Sequence, residues 1–451
     1  MTSMTQTAEA TRPAIRPRIA AKSGLFILLG ANVAAVTALF AQAGLSPNVL
    51  ISIGRLAGLY GALSMAFQLL LVARLPWLDR RIGMDRLTTW HRWTGFTILW
   101  TLLAHLVFIV FGYAEVENHG VVDELVDMAN QLEGILRALV AFAVILIVGA
   151  ASAKFARRRL AYETWHFIHL YTYAAIVLAF THQIALGTSF AGSPMAKGYW
   201  WSLWLGAGAA VLAGRVLLPV WRNLRHRLRV TAVVSEAPDV VSVYMSGKHL
   251  DRMPVRAGQF FLWRFLTKDR WYQANPFSLS AAPDGRTLRL TAKALGDASA
   301  SLRNLRIGTR VFAEGPYGAF TTIHQRRPDA LLVAGGVGIT PIRALLEDIE
   351  GHVVVLYRVR TQADAVLLPE LNELAKARGA MVSVLTGPDQ AVGPRGTMLG
   401  PANLHMMVPD VHERDVFVCG PPGMTSAVLR SLRELRVPKA QVHAERFSLA
   451  A

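Results

Sequence analysis

The sequence is poor in cysteine and in charged residues. Its 451 residues include a single cysteine, Cys419, and only 17% are Asp, Glu, Lys or Arg, whereas 53% are hydrophobic. One cysteine excludes a disulfide framework, a cysteine-ligated zinc site and a four-cysteine iron–sulfur cluster. A composition this apolar argues against an ordinary soluble enzyme and indicates a membrane protein. Any redox chemistry must therefore rely on other cofactors.

Acidic residues are scarce relative to basic ones, which leaves a formal net charge of +17. Such a surplus can indicate a nucleic-acid partner, but the arginines cluster at the ends of apolar stretches, where lipid headgroups account for them. We therefore expect a lipid bilayer, and no nucleic acid, as the surroundings of this chain.

Long apolar stretches are confined to the first half of the chain. Six of them can cross a bilayer core, and they lie at residues 24–44, 50–73, 91–112, 134–153, 165–187 and 199–219. The first stretch ends in AQA, which resembles a signal-peptidase site, but its apolar run is longer than the core of a signal peptide. We therefore interpret it as a membrane helix.

Basic residues mark one side of the predicted spans. They precede span 1 and follow spans 2, 4 and 6, all on the same side: Arg12, Arg16, Arg18, Lys22, Arg74, Arg80, Arg81, Arg86, Lys154, Arg157, Arg158, Arg159, Arg222, Arg225, Arg227 and Arg229. Residues 113–133 contain six Asp and Glu residues and no Lys or Arg. By the positive-inside rule, we expect a multi-pass protein of the inner (cytoplasmic) membrane with both termini in the cytoplasm.

The second half of the chain has the pattern of two soluble domains. Short β-branched runs separated by Gly and Pro predict an antiparallel β-barrel, and apolar strands that alternate with helical segments then predict a parallel sheet with crossover helices. The predicted fold is thus a six-helix membrane bundle followed by a β-barrel domain and an α/β nucleotide-binding domain. The predicted boundaries are 1–23 for a cytoplasmic segment, 24–222 for the membrane domain, 228–326 for the barrel and 328–451 for the α/β domain.

Predicted spans 3 and 5 contain five histidines, His91, His105, His166, His169 and His182, and the gap from His169 to His182 matches the span 3 spacing better than the gap from His166 to His182. His91 and His105 in span 3 are 14 residues apart, which returns nearly to the same helix face roughly 21 Å along the axis. His169 and His182 in span 5 are 13 residues apart, roughly 20 Å, although this spacing rotates the side chains roughly 140° apart. Spans 3 and 5 run in the same direction. We therefore pair His91 with His169, and His105 with His182.

Two imidazoles that face each other at one depth are typical axial ligands of a six-coordinate haem. Two such levels predict two b-type haems, with neutral ligands that avoid unpaired charge in the lipid. Hydrogen-bonded packing and a proton pathway are the alternatives for these histidines. Arg55, near the outer end of span 2, is a candidate for binding a haem propionate or attracting an anionic acceptor, unless it only reaches the headgroups.

The α/β half contains a candidate dinucleotide site. Gly335, Gly336 and Gly338 follow an apolar strand and open a helix, so bare backbone can approach a diphosphate at the helix N-terminus. A glycine turn without a ligand is the alternative. Arg358 and Arg360 follow the next strand, where a 2′-phosphate would lie, which favours NADPH and leaves NADH possible unless these arginines are only solvated.

Four motifs occur in a fixed order: NPFSLS at 275–280, KALGDAS at 293–299, AGGVGITP at 334–341 and VCGPPGM at 418–424. They resemble the flavin-contacting strand, the flavin-phosphate segment, the pyridine-nucleotide loop and the nicotinamide-side motif of the ferredoxin-reductase superfamily. These motifs follow six predicted spans with spaced histidines, and in this combination the chain resembles the transmembrane ferric reductase and NADPH oxidase family.

This resemblance implies an FAD site and a nicotinamide site. The implied flavin contacts are Pro276, Phe277 and Ser278 at the isoalloxazine and ribityl, Lys293 and Ser299 at the diphosphate, and Asn275 beside them. The implied nucleotide contacts are Gly335, Gly336, Gly338, Thr340, Pro341, Cys419, Gly420 and Pro421. Asn275 stands where related oxidases have His, so that position carries no cation.

Two further residues have implied roles at the reacting rings. Many relatives end in an aromatic residue that covers the flavin, and Phe447 is the nearest candidate here. Cys419 would lie near the nicotinamide, although packing as a small apolar residue is equally compatible with a buried thiol.

The resemblance implies a transmembrane oxidoreductase that moves electrons from NADPH through FAD and two haems to an acceptor outside. Oxygen, giving superoxide, is the favoured acceptor, a ferric chelate is the alternative, and a periplasmic redox protein is a third option. A proton or ion transporter with a flavin regulatory domain is the competing class.

Overall fold

A computed structural model of the chain describes residues 15–157, 159–160, 162–191, 193–269, 271–387 and 397–446. The chain divides into two compact units. The membrane unit contains Ala21–Leu75 and Met84–Leu217, and the second unit contains Pro76–Gly83 together with the chain from Leu218 onward.

Six helices within the described residues are long and apolar enough to cross a membrane, in agreement with the six predicted spans. The helices of the first half are α1 (Ile15–Gln42), α2 (Val49–Leu71), α3 (Pro76–Ile82), α4 (Met84–Glu117), α5 (Val121–Gln131), α6 (Ile135–Ser152), α7 (Lys154–Arg157), α8 (Tyr162–Leu186), α9 (Thr188–Ala191), α10 (Pro194–Leu212) and α11 (Leu218–His226). A π-helical turn, Ala213–Leu217, separates α10 from α11.

Helix pairs build the membrane unit: α2 packs against α4, and α6 packs against α8. Three glycines of α2 face α4. A Cβ atom on Gly54 would lie 2.8 Å from Ile109 Cγ1, one on Gly58 would lie 2.6 Å from His105 Nδ1, and one on Gly61 would lie 3.0 Å from Leu102 Cδ2. Because small residues let helix backbones approach closely in a membrane, α2 lies directly against the face of α4 that carries His105.

The second unit contains the predicted barrel. Its strands are β1 (Arg229–Ala237), β2 (Val240–Ser246), β3 (Phe260–Phe265), β4 (Asn275–Ser278), β5 (Thr287–Lys293) and β6 (Val311–Tyr317), with the short helix α12 (Asp297–Ala300) after β5. They form two antiparallel sheets, β1-β2-β5 and β4-β3-β6. Single bridges join Leu279 to Leu290 and Arg229 to Arg310, and so close the sheets into a barrel.

Alternation explains the barrel core. Val241, Val243 and Met245 of β2 point inward at every second position and join Phe261 and Trp263 of β3 in one buried cluster. Side chains two residues apart share one face of a strand, so this pattern commits one face of each strand to the interior.

The α/β part of the second unit is a five-stranded parallel sheet in the order β11-β10-β7-β8-β9. Its elements are β7 (Ala330–Gly335), α13 (Ile339–Asp348), β8 (Val353–Arg358), α14 (Leu368–Arg378), β9 (Met381–Leu385), α15 (Pro401–Met407), β10 (Asp415–Gly420), α16 (Pro422–Glu434) and β11 (Val442–Arg446). Strands β7, β8 and β10 are buried along their whole length, as expected for a sheet covered on both faces. The strand order reverses between β7 and β10.

Buried ion pairs join the barrel to the α/β part. Arg289 of β5 lies 2.9 Å from Glu370 of α14, and Arg343 of α13 lies 2.5 Å from the same carboxylate. Both guanidinium groups also donate to the backbone oxygen of Ser280. Burial alone would lower the pKa of Arg289, but hydrogen bonds with Tyr244 and Glu370 outweigh it and raise that pKa. The network therefore fixes three elements from the two domains around one carboxylate.

The segment Pro76–Gly83, between the second and third spans, packs in the second unit. Asp79 is buried, and its carboxylate accepts a hydrogen bond of 3.0 Å from the backbone N–H of Gly318. Arg80 donates to the backbone oxygen of Pro254 at 3.0 Å. The membrane domain predicted at 24–222 thus contains a short helix that packs with the barrel.

Candidate functional site

The four intramembrane histidines lie in two facing pairs. The ring centroids of His91 and His169 are 6.0 Å apart, with the ring planes at 67°. Those of His105 and His182 are 6.3 Å apart, with the planes at 28°. The structure therefore brings together the same pairs that the spacing predicts. Helix α8 is continuous from Tyr162 to Leu186, so the 13-residue spacing is accommodated without a break in that helix.

The dimensions of these pairs fit a metal ion held between two imidazoles. Two metal–nitrogen bonds of about 2 Å each, together with the radii of the two rings, give a centroid separation of about 6 Å. Within the described residues, no group of three or more His, Cys, Asp or Glu residues is arranged to hold a metal ion. A haem iron needs only two protein ligands, because the porphyrin supplies the other four.

Hydrogen bonding also leaves the imidazoles available as ligands. His105 Nδ1 lies 2.8 Å from the backbone oxygen of Gly54, which holds a proton on Nδ1 and leaves Nε2 free for a metal. The Nδ1 atoms of His91, His169 and His182 are buried and have no hydrogen-bond partner among the described residues.

Neighbouring residues shape the space around the pairs. Gly58 lies against the His105 ring, and a Cβ atom on Gly134 would lie 3.1 Å from the backbone nitrogen of His182. Trp165 stacks on His169, with ring centroids 5.1 Å apart. Sequence reasoning missed these residues. The glycine spacing in α2 is the signal that could have identified Gly58.

Arg55 lies in α2 beside Gly54, whose carbonyl holds His105. Its Nη1 donates to the backbone oxygen of Gly44 at 3.1 Å, and its guanidinium lies 5.4 Å from the centroid of the Phe40 ring. Its Nε and Nη2 atoms are buried and have no hydrogen-bond partner among the described residues. A guanidinium with two unused donors is suited to bind a carboxylate or another anion.

The two predicted nucleotide motifs meet at the carboxyl ends of β7 and β10. A Cβ atom on Gly338 would lie 2.2 Å from the Cys419 oxygen, and one on Gly335 would lie 2.5 Å from the Met424 sulfur. These glycines are therefore required by the close approach of the two loops. Gly336 has a φ of +52° and open space where its Cβ would be, so its backbone can face a ligand.

This meeting point is the position at which the strand order of the sheet reverses. Ligands of open α/β sheets bind in the crevice at such a reversal, outside the carboxyl ends of the strands. Thr340 and Pro341 are buried in the first turn of α13, where the Thr340 hydroxyl donates to the Val337 oxygen at 3.0 Å, and Pro421 is exposed.

The two arginines after β8 differ in their surroundings. Arg358 is buried, and its guanidinium donates to the backbone oxygens of Val359, Leu385 and Gly387. It therefore ties the end of β8 to the end of β9. Arg360 is exposed and is the better placed of the two to reach a phosphate.

Cys419 lies at 0% exposure in the core cluster beneath the sheet. Burial raises the pKa of its thiol well above the usual value, so the sulfur stays protonated at neutral pH. This environment favours the packing role of Cys419. Phe447, the other residue with an implied role at the reacting rings, lies outside the described residues.

The implied flavin residues lie on β4 and at the end of β5. Pro276 is exposed, Asn275 and Phe277 are half-buried, and Ser278 is buried. The bridge between Leu279 and Leu290 sets the end of β4 beside β5, the strand that ends at Lys293. The two flavin motifs are therefore adjacent across one seam of the barrel.

Two of the implied diphosphate contacts already have protein partners. Lys293 Nζ lies 3.1 Å from a carboxylate oxygen of Asp239. The Ser299 hydroxyl accepts hydrogen bonds from the backbone nitrogens of Leu295 and Gly296 at 2.9 and 3.2 Å. Gly296 is the open position in this segment, with no atom within 4 Å of where its Cβ would be.

Two family models match the chain. Residues 57–180 match the ferric reductase like transmembrane component, and residues 332–430 match the oxidoreductase NAD-binding domain. These matches, with the fold, define a membrane oxidoreductase.

Several proteins are similar to part of the chain. The chain is 28% identical over 247 residues to the glycine betaine monooxygenase reductase subunit of Chromohalobacter salexigens, covering 51% of this chain and 67% of that one. It is 30% identical over 193 residues to ferredoxin–NADP reductase B of Sorangium cellulosum, covering 38% and 77%. The FAD/NAD-binding domain of a Vibrio cholerae nitric oxide dioxygenase superposes with a TM-score of 0.39 at 24% identity, covering 49% and 99%.

In this chain a ferric-reductase-like membrane domain precedes a ferredoxin-reductase-like module with an NAD-binding domain, which is the domain arrangement of the ferric reductase and NADPH oxidase type of fusion.

Proposed function

We propose that this protein moves electrons from cytoplasmic NADPH through FAD and two b-type haems to an acceptor on the outer face of the inner membrane. The observation that carries the proposal is the facing of His91 with His169 and of His105 with His182. FAD, when bound, would accept a hydride and release its two electrons singly, and haems held by these histidines would supply one-electron carriers.

The membrane residues have distinct tasks in this proposal. The four histidines would hold the irons as neutral ligands, and the Gly54 carbonyl would fix the tautomer of His105. Arg55 offers its two unused donors to a propionate or to an anionic acceptor. The basic clusters flanking the spans and the acidic stretch at 113–133 support cytoplasmic termini.

The soluble residues bind and orient the two nucleotides. Gly336 presents open backbone in the crevice between β7 and β10, where the NADPH diphosphate would bind. Arg360 would contact the 2′-phosphate, and its exposure supports NADPH over NADH. Pro276 and Phe277 on β4 would lie against the flavin, with Phe447 proposed as the covering aromatic residue.

Oxygen is the acceptor that we favour, with superoxide as its product. Both irons would be fully ligated by histidine and porphyrin, so the acceptor would react without binding to iron. Superoxide production by the purified chain, measured with and without a ferric chelate, separates the two acceptors. Rapid ferrous formation without superoxide would assign a ferric-chelate reductase instead.

The central test is anaerobic reduction of the purified full-length protein. Addition of NADPH should reduce two haems per chain, faster than the same concentration of NADH. His105→Ala and His182→Ala should each remove one haem and stop electron flow to the outer acceptor. Purified protein without a haem absorption band would contradict the proposal and favour the transporter class.

A further inference from the structure

An open cationic cavity lies in the second unit at the end of α11, and none of its lining residues is among those assigned to electron transfer. It has a volume of about 390 Å³ and is lined by Leu224, Arg225, Arg227, Lys248, His249 and Arg252. Four of these residues carry a permanent positive charge, and none of the six lining residues is acidic. The volume is within the range of sites that bind small ligands.

The acidic residue nearest in sequence does not neutralise this charge. Asp251 lies 3.8 Å from Arg252, and both side chains are 68% exposed. Exposed ion pairs of this length contribute little, so Arg252 stays available to another anion.

Local backbone structure holds the cavity open. Lys248 donates its backbone N–H to the His226 oxygen at 2.6 Å, and His226 Nδ1 lies 3.0 Å from the Lys248 oxygen. Gly247 permits this approach, because a Cβ atom there would lie 2.3 Å from the His226 oxygen. The loop after β2 is therefore fixed against the end of α11, with one cationic wall on each side.

Both walls contain a residue in a strained conformation. Arg227 has a φ of 48° and His249 has a φ of 55°, in the left-handed region that residues other than glycine seldom adopt. Such strain persists only where the surrounding structure imposes it, and it concentrates at binding and catalytic sites. Arg227 directly follows the end of α11, and His249 directly precedes the short turn Leu250–Arg252, so both conformations set the geometry of the two walls.

The face of α11 next to the cavity is apolar and exposed. Trp221 is 54% exposed and Leu224 is 66% exposed, while the Arg225 guanidinium lies 5.3 Å from the centroid of the Trp221 ring. Trp and Leu beside Arg are typical of helices that lie at a membrane surface.

Chain length places the same residues near the lipid headgroups. The helical segment Pro194–His226 has 33 residues. A helix needs only about 20 residues to cross the hydrocarbon core of a bilayer. The last turns of this segment, which contain Trp221, Leu224 and Arg225, therefore extend beyond the hydrocarbon.

We propose that this cavity binds the phosphate of an anionic phospholipid headgroup. Arg225, Arg227, Lys248 and Arg252 surround the phosphate, and Leu224 and Trp221 contact the glycerol and the upper acyl chains. Charge complementarity supports this occupant, because Lys and Arg at the membrane surface bind anionic headgroups.

The test is a titration of fluorescent phosphatidylglycerol into full-length protein in neutral detergent. Lys248→Gln with Arg252→Gln should weaken binding roughly 30-fold, from the loss of two headgroup contacts. The matched control, Lys376→Gln with Arg430→Gln, removes two exposed cations from α14 and α16 and should bind like the wild type. Lys248→Arg with Arg252→Lys keeps both charges and should retain the affinity.

Three outcomes would overturn the proposal. Equal affinity of the wild type and the Gln variant would show that the cavity does not bind the lipid. Equal weakening by the control would attribute binding to net charge. Displacement of the lipid by an equal concentration of inorganic phosphate would assign the site to a soluble anion.

Discussion

At the residue scale, Gly58 leaves room for the His105 ring because it has a hydrogen atom where other residues have a Cβ atom. A Cβ atom there would lie 2.6 Å from His105 Nδ1, so Gly58→Ala should push the ring away from the Gly54 carbonyl that holds it. We expect the variant to bind about one haem per chain in place of two, because only the outer pair is disturbed.

The measurement is iron and haem content per chain. Gly206→Ala is the matched control, since this glycine of another membrane helix has no atom within 4 Å of where its Cβ would be. Full haem content in Gly58→Ala would contradict the packing argument.

Also at the residue scale, Arg360 is the proposed nucleotide contact, whereas Arg358 has a structural role. Arg360→Gln should raise the KM for NADPH about tenfold, which corresponds to the loss of one charge-assisted hydrogen bond, and leave the KM for NADH unchanged. Steady-state kinetics with both nucleotides check this. An equal change for both nucleotides would remove Arg360 from the 2′-phosphate site. Arg358 is a poor test because three backbone oxygens depend on its guanidinium.

At the scale of elements, Glu370 joins a strand of the barrel to two helices of the α/β part. Glu370→Gln removes the charge shared by Arg289 and Arg343, which are both 5% exposed. We expect a loss of about 2 kcal/mol in the free energy of unfolding, less than for a fully buried pair because Glu370 is partly exposed.

Chemical denaturation of the full chain measures this loss. Glu373→Gln, an exposed carboxylate on the same helix, should change stability by less than about 0.5 kcal/mol. Equal effects of the two variants would show that the shared ion pairs contribute nothing specific.

The sequence predicts the elements better than their local contacts. Hydropathy predicts the six spans because a span needs about 20 apolar residues, and histidine spacing predicts the two pairs because similar axial rises place the histidines at matching depths. An ideal helix places the His169 and His182 side chains roughly 140° apart, so helix geometry alone does not predict that both pair with histidines of span 3. The partners of Arg358 and Lys293 depend on neighbours distant in sequence. Helix α3 was missed because a short segment between two spans shows no long apolar pattern, while its packing depends on Asp79 and Gly318.

At the scale of the whole molecule, charge distribution predicts which side of the membrane binds NADPH. Inverted membrane vesicles should oxidise added NADPH at once, because the soluble half would then face the medium. Right-side-out vesicles should do so only after permeabilisation, because NADPH does not cross a bilayer. Oxidation by intact right-side-out vesicles would reverse the proposed orientation.

The vertical separation of the histidine pairs has an electrical consequence. His91 and His105 are 14 residues apart, roughly 21 Å of a hydrocarbon layer about 30 Å thick. An electron that travels this far outward crosses most of the membrane's voltage drop, which does work of about 2.3 kcal/mol per 100 mV for the full thickness. In the proposed orientation, an interior-negative voltage would therefore accelerate each transfer and be discharged by it. Sustained turnover then requires protons or other cations to move outward across the same membrane and balance the charge.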